Sequence, residues 1–294
     1  MANKRPRTLA IVYLNRGKTE EERISRERFK CAFKRFHPKL RHQLYIINKG
    51  FEHEQIKGEH DFFRDLKPRF IDISDDGFDL DAYREAAIRA EEEIIFFMNT
   101  HSEPLQEYWL EKIYNIFCSS PLIGLVGCSG NVETHHPFLP DFPKYPNYHI
   151  RTNAFMTSRD DYLLWIGSKN FETKQQAFHF EAGNSSLTRL VESNGQQAFV
   201  AGKRGVVTPN TLWRSGIFRS GFQKNLLVGD NQTRTYQECP LLWKLARWML
   251  NYSYLSQIYP PQRIIYYLLP ILDNFPPLKK TLRSIFQRSR KKRT

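Results

Sequence analysis

Glu181 is the residue whose neighbours best suit proton transfer. It lies in Phe178-His179-Phe180-Glu181-Ala182-Gly183, where aromatic and small side chains would hold a carboxylate in a partly desolvated setting. A carboxylate within reach of a hydroxyl can take its proton. The same position also suits a plainer task, capping a helix that starts near Asn184 or Ser185. Two polar clusters end apolar runs: Asp75-Asp76-Gly77 after FIDIS, and Asn99-Thr100-His101 at the close of IIFFMN. Arg16, Arg151 and Arg234 are forked cations of the kind that suits a diphosphate, although a lone Arg is more often a surface ion pair. Trp213-Arg214, in TPNTLWRSG, can stack on a sugar face or pack on the core. Gln223, Asp230 and Arg234 can bond a diphosphate or an acceptor, or tie the C-terminal region to the body. His135-His136 invites a metal reading, but adjacent histidines point apart in most backbones. Its surroundings, ETHHPFLPDFPKYPNYH, read as an irregular loop over a cleft, a candidate lid.

These groups need a frame, and the first 130 residues supply one. Strand-like runs at 9–15, 42–48, 70–74, 94–99 and 122–130 alternate with helical patterns at 22–36, 80–93 and 105–117. That alternation predicts an α/β domain with a parallel sheet covered on both faces. Such sheets bind ligands at the carboxyl ends of their strands. Asn15-Arg16, Lys49, residues 72–76 and residues 99–103 are therefore the places to look. No GxGxxG follows the first strand, and GxxxxGK[ST], GxSxG and HExxH are all missing. A dinucleotide or P-loop reading lacks its phosphate cradle.

Composition narrows the class. The chain has 294 residues, 40% hydrophobic and 26% charged, with mean hydropathy −0.56, as in a globular protein. No stretch reaches the ~18 apolar residues of a membrane span. The opening run LAIVYL is short for a signal peptide. Four cysteines (Cys31, Cys118, Cys128 and Cys239) form no CxxC pair and suit a reducing cytosol. The net charge of +13 is uneven: residues 241–294 hold eleven Lys or Arg and one Asp, leaving +3 for the first 240. The basic segment is rich in Trp and Tyr, as an interfacial membrane helix requires. It can equally pack on the body, and nucleic acid is the least favoured partner. The expected organisation is a domain over 7–238 and a basic aromatic helical appendage over 239–294.

The order of features resembles the GT-A fold of family 2-like glycosyltransferases, including a bacterial subgroup associated with surface polysaccharides. EEEIIFFMNTHSEPLQEYW resembles the family's strand, DxD motif and helix. DDGFDLDAYREAAIRA resembles the loop and helix before it. HIRTNAFMTSRDDYLLW resembles the return strand that lines the sugar and acceptor site, and FHFEAGNSSLTRLVESNGQQAFVAGKRGVV resembles the base-bearing segment. The resemblance spans roughly residues 7 to 235. It implies a GT-A-like, mostly parallel central sheet flanked by helices and hexosyl transfer from a nucleotide-diphosphate sugar to a hydroxyl acceptor. Glu181 would be the base, with inversion at the anomeric carbon. The implied donor contacts are Asn15, Arg16, Asp75, Asp76, Asn99 and His101. Those implied for acceptor or diphosphate are Arg151, Asn153, Trp213, Arg214 and Arg234. The acceptor would be a glycan or lipid-linked, and the setting cytoplasmic, with residues 241–294 against the inner face of the membrane.

One departure matters. Asn99 and His101 stand where the family has its two acidic residues. Asn99 supplies no negative charge, although its amide can bond a ribose or phosphate. His101 can hold Mn²⁺ through a neutral nitrogen, whereas Mg²⁺ prefers oxygen. The divalent cation is left open, and so is a non-catalytic, glycosyltransferase-like binding protein.

Overall fold

In this computed structural model, residues 8–136 and 138–253 are described. Twelve strands occur among them: β1 Leu9–Asn15, β2 Gln43–Lys49, β3 Arg69–Ile73, β4 Ile94–Met98, β5 Glu103–Pro104, β6 Ile123–Gly127, β7 Gly130–Asn131, β8 His149–Ile150, β9 Ala154–Ser158, β10 Gln197–Gly202, β11 Gly205–Val207 and β12 Val228–Gly229. The helices are α1 Glu20–Arg35, α2 His53–Phe63, α3 Asp79–Arg89, α4 Trp109–Cys118, α5 Arg159–Ile166, α6 Lys174–Ala182, α7 Leu187–Ser193, α8 Asn231–Glu238 and α9 Leu241–Tyr252.

Eight strands form one sheet in the order β11-β10-β6-β9-β4-β1-β2-β3. β3, β2, β1 and β4 run parallel, as do β6 and β10. β9 enters antiparallel between β4 and β6, and β11 closes the far edge antiparallel. The fold is thus mixed α/β, with a mostly parallel sheet flanked by helices. β1 shows why its run is wholly apolar. Ala10, Val12 and Leu14 pack into one core and Leu9, Ile11 and Tyr13 into the other, so both faces are buried. Tyr13 stacks on Phe29 of α1 at 3.6 Å between ring centroids.

Local chemistry sets the helix starts. Thr19 and Glu22 form a capping box at α1, at 3.2 and 2.9 Å. At α3 the Asp81 carboxylate accepts from the Phe78 N–H at 2.9 Å. Three differences from the sequence expectation stand out. α3 ends at Arg89 and α4 begins only at Trp109, because the Leu105 N–H is drawn to the Leu227 carbonyl (3.0 Å) and β5 pairs with β12. α2, polar and interrupted by Gly58, carries too weak an apolar period to be read. The sheet is not all parallel, as the strand–helix alternation predicts it to be, since β9 reverses; it is mostly parallel, as the resemblance implies.

Of the stretch 241–259, expected to be one helix of the appendage, the described part to Ser253 is helical over Leu241–Tyr252, and α9 packs on the body. Leu242, Ala246, Leu250 and Tyr252 are buried, and the Tyr252 hydroxyl donates to the Phe218 carbonyl at 2.6 Å. The proline-bracketed segment and the basic C-terminal run lie outside the described residues. Among the described residues no helix is long and apolar enough to cross a membrane.

Candidate active site

A cleft of about 780 Å³ opens where the chain leaves β1 and enters α3. It is lined by Arg16, Phe78, Asp79 and Leu80, by Thr152, Lys174, Ala177, Phe178 and Glu181, and by Glu133, His135, Arg219, Gln232, Arg247 and Leu250. Glu181 therefore lines a cleft at the carboxyl end of β1. It sits in the last turn of α6, so it does not cap the following helix. Ser186 occupies that N-cap position.

Thr152 fixes Glu181 from the loop between β8 and β9. Its N–H donates to Oε2 at 2.7 Å and its hydroxyl donates to the same oxygen at 2.5 Å. Oε1 accepts no hydrogen bond among the described residues, and Glu181 lines the cleft. Beneath it lies a smaller cavity of about 100 Å³, bordered by Glu181, Glu133, His149, Arg151, Phe178, Phe218 and Arg219, among others. His149 is buried, and its Nδ1 lies 2.8 Å from the Asn147 carbonyl. A carbonyl only accepts, so the proton is on Nδ1 and Nε2 is an acceptor. Burial pushes its pKa down, against the pull of Glu181 and Glu133, which keeps the ring neutral.

Charges of both signs line the cleft. Arg16 reaches Asp75 at 2.9 Å, with Asp79 at 3.8 Å and Glu22 at 3.7 Å. Burial raises the Asp75 carboxyl, but the Lys18 hydrogen bond and the charges of Arg16, Lys18 and Lys49 outweigh it and hold it below its ordinary range. Desolvation in the cleft wall pushes the Asp79 carboxyl up, against Arg16, His101 and Lys49. Arg219 has φ 46°, a left-handed backbone that a side-chain-bearing residue rarely adopts. Its guanidinium is bonded to Asn251 (2.9 Å) and Gln232 (3.1 Å) and stands 3.6 Å from Glu133.

The remaining sequence candidates divide by location. Asn15 is fully buried and does not line the cleft. It donates to Asn48 and Glu59, both at 2.9 Å, and Asn48 donates to Asp72 at 2.8 Å, so the amides tie the tips of β1, β2 and β3 together. Asp76 accepts from Ser74 at 2.7 Å and borders a separate depression. Arg151 forms a buried ion pair with Asp230 at 2.8 Å, with its guanidinium 4.1 Å over the Phe218 ring, and lines the smaller cavity. Asn153 is buried and its Oδ1 accepts from Ser129 at 2.8 Å. Arg234 is held by Glu103 at 2.6 Å and the His101 carbonyl at 3.3 Å. Trp213 and Arg214 border a different groove from the one that holds Glu181.

The side chains at the end of β4 are partly engaged within the protein. Asn99 Oδ1 accepts from the His101 N–H (3.2 Å) and the Ser102 hydroxyl (2.8 Å). His101 Nδ1 lies 2.9 Å from the Ser25 hydroxyl. Asn99 Oδ1 and His101 Nδ1 are thus taken, whereas His101 Nε2 makes no hydrogen bond among the described residues, where no cluster of three His, Cys, Asp or Glu able to hold a metal occurs.

Several cleft residues carried no sequence signal: Asp79, Glu133, Thr152, Arg219 and Arg247 sit on five separate segments. Only Asp79 was within reach of pattern reading, as the acidic first turn of a helix after a strand-end loop.

No protein-family model matches this chain, and no curated protein does. Among solved structures it is similar to GalNAc-T7 crystallised with UDP, GalNAc and Mn²⁺: TM-score 0.47 and 10% identity, over 68% of this chain and 43% of that one. It is similar to glucosyl-3-phosphoglycerate synthase from Mycobacterium tuberculosis in complex with Mn²⁺, UDP and phosphoglyceric acid: TM-score 0.35 and 14% identity, over 53% and 57%. A third likeness is to CMP:2-keto-3-deoxy-manno-octonic acid synthetase complexed with CTP: TM-score 0.41 and 12% identity, over 70% and 95%. The chain thus matches less than two thirds of the length of the first two proteins.

Proposed function

We propose that this protein is a glycosyltransferase of GT-A type that moves a sugar from a nucleotide-diphosphate donor to a hydroxyl acceptor. The observation that carries the reading is the Glu181 carboxylate, which lines a cleft beside the β1 tip, with one oxygen anchored by Thr152 and the other accepting no hydrogen bond among the described residues. In this reading the acceptor hydroxyl gives its proton to Glu181 Oε1 as its oxygen bonds to the anomeric carbon. The bond from that carbon to the diphosphate oxygen breaks, and the electron pair leaves with the nucleoside diphosphate. A single base facing the acceptor fits inversion. Arg16, Lys174, Arg219 and Arg247 supply positive charge in the cleft for the leaving group. Donor contacts are assigned to Arg16 and the loop it holds through Asp75, with Asn15, Asn99 and His101 shaping the strand tips behind it. Arg151 and Asn153 support the smaller cavity.

The acceptor is proposed to be a glycan or lipid-linked sugar of surface polysaccharide or glycolipid assembly, handled on the cytoplasmic side of a membrane. A nucleotide-sugar panel, run with and without Mn²⁺, reads both donor class and metal need. The expected outcome is turnover with one donor class, with Glu181→Gln lowering turnover about a hundred- to ten-thousand-fold while donor binding persists. Unchanged turnover in Glu181→Gln removes the assignment.

The engagement of Asn99 and His101 with protein partners favours one second reading, a non-catalytic protein that binds a nucleotide or glycan in the same cleft. It is distinguished by nucleotide binding with no turnover of any donor.

A further inference from the structure

α9 presents different residues to two concavities. Arg247 and Leu250 border the cleft, whereas Leu241, Lys244, Leu245 and Trp248 border a separate groove of about 570 Å³. The second set follows i, i+3, i+4, i+7 spacing, so it forms a continuous stripe. Trp213 stands edge-on to Trp248, with centroids 6.4 Å apart, and is 47% exposed. The Trp248 indole N–H is satisfied by the Trp213 carbonyl at 2.9 Å, which leaves the ring faces apolar. Four cations border the same groove, Arg204, Arg214, Lys224 and Lys244, and none of its lining residues is a carboxylate. None of the four forms an ion pair among the described residues. Arg16, Arg26, Arg151 and Arg234, by contrast, all have carboxylate partners.

We propose that this groove docks on an anionic lipid surface, the cations taking the phosphate head and the Trp213–Leu245–Trp248 floor taking part of the chain. Charge complementarity selects that occupant. An uncompensated cationic rim around an apolar floor is what a phosphate-headed amphiphile matches. Past Ser253 eight of the nine Lys and Arg fall in residues 279–294, so the same charge sign makes that basic run a poor occupant. A nucleic acid would match the charge, but it binds through stacked bases on open aromatic faces. Here the two indoles meet edge to face, and the rest of the floor includes aliphatic Leu241 and Leu245.

The test uses the full chain and sedimentation with phosphatidylcholine vesicles, with and without phosphatidylglycerol. Binding is expected only with phosphatidylglycerol. Lys224→Gln with Lys244→Gln should weaken it about 30-fold, following the attraction of each cation to anionic lipid. Trp213→Ser, at an exposed ring, should weaken it about tenfold. The control is Arg28→Gln with Arg41→Gln, which removes two exposed cations away from the groove and should change binding less than threefold. Circular dichroism melts verify that each variant is folded. Equal loss in the groove and control variants would mean that general charge holds the protein to lipid, and the proposal fails. It fails likewise if zwitterionic vesicles bind as well, or if Trp213→Ser weakens binding to a single-stranded oligonucleotide and leaves vesicle binding intact.

Discussion

A carboxylate can accept a proton from substrate only through an oxygen that the protein has not claimed. Glu181 meets that condition because Thr152 places both of its donors on Oε2. Thr152→Val keeps the backbone donor and loses the hydroxyl. We expect kcat to fall about tenfold with little change in KM, read by steady-state kinetics on the donor that the panel identifies. The buried Arg151–Asp230 pair makes a different prediction. Burial pushes the Asp230 carboxyl up, but Arg151 and the Thr233 N–H and hydroxyl outweigh it and hold the pKa below its ordinary value. A depressed carboxylate contributes stability above the unfolded-state pKa of about 3.9, and this is lost as pH falls through the folded value. Asp230→Asn leaves Arg151 buried without its counter-charge and should cost about 3–5 kcal/mol at neutral pH in urea unfolding. The difference from wild type should shrink as the pH is lowered below 4. Arg234 teaches the opposite lesson. It has the right chemistry for a diphosphate, yet Glu103, far away in sequence, already holds it.

Elements decide where these side chains point. α6 ends at Gly183, and a Cβ built there would lie 2.7 Å from the His179 carbonyl oxygen. Gly183→Ala must therefore move the last turn of α6, which bears Glu181. The expected result is a kcat loss of up to about 100-fold, from a displacement on the order of 1 Å. Stability should fall by only about 1 kcal/mol. Equal and large losses of both would point to general unfolding. The sheet was the most legible element level. β1, β2, β4 and β6 were readable as short apolar runs because both of their faces are buried, whereas the edge strand β3 was read with Asp72 interrupting it. β9 was harder to place, since its antiparallel entry between β4 and β6 depends on partners and not on its own residues. α9 was legible as a helix, but which of its faces meets the body was not. Packing buries Leu242, Ala246 and Leu250 and leaves Leu245 and Trp248 bordering the groove.

For the whole molecule, ligand binding and stability are linked by mass action. A nucleotide sugar at a hundred times its dissociation constant should stabilise the protein by about 2.7 kcal/mol, a melting shift of several degrees for a chain of this size. Arg16→Ala with Arg247→Ala should abolish most of that shift, because both cations face the cleft, whereas Arg28→Gln should not. No shift with any donor would remove nucleotide-sugar binding from the account. The distribution of charge also works at this scale. The first 240 residues are nearly neutral because their cations and carboxylates nearly match in number, and the groove beside α9 is a local exception.

The amino-acid order by itself determined the α/β class, most of the central strands, and the presence of a carboxylate in an aromatic and small-residue setting at Glu181. Those features follow from local periodicity and neighbouring side chains, which any short segment carries within itself. Tertiary structure alone decided that Thr152 anchors Glu181, that Asp230 claims Arg151, and that Ser25 meets His101 Nδ1. It also brought Glu133, Arg219 and Arg247 into the cleft. The reason is physical: hydrogen bonds and ion pairs between residues tens of positions apart exist only after the sheet and its helices have fixed the distances.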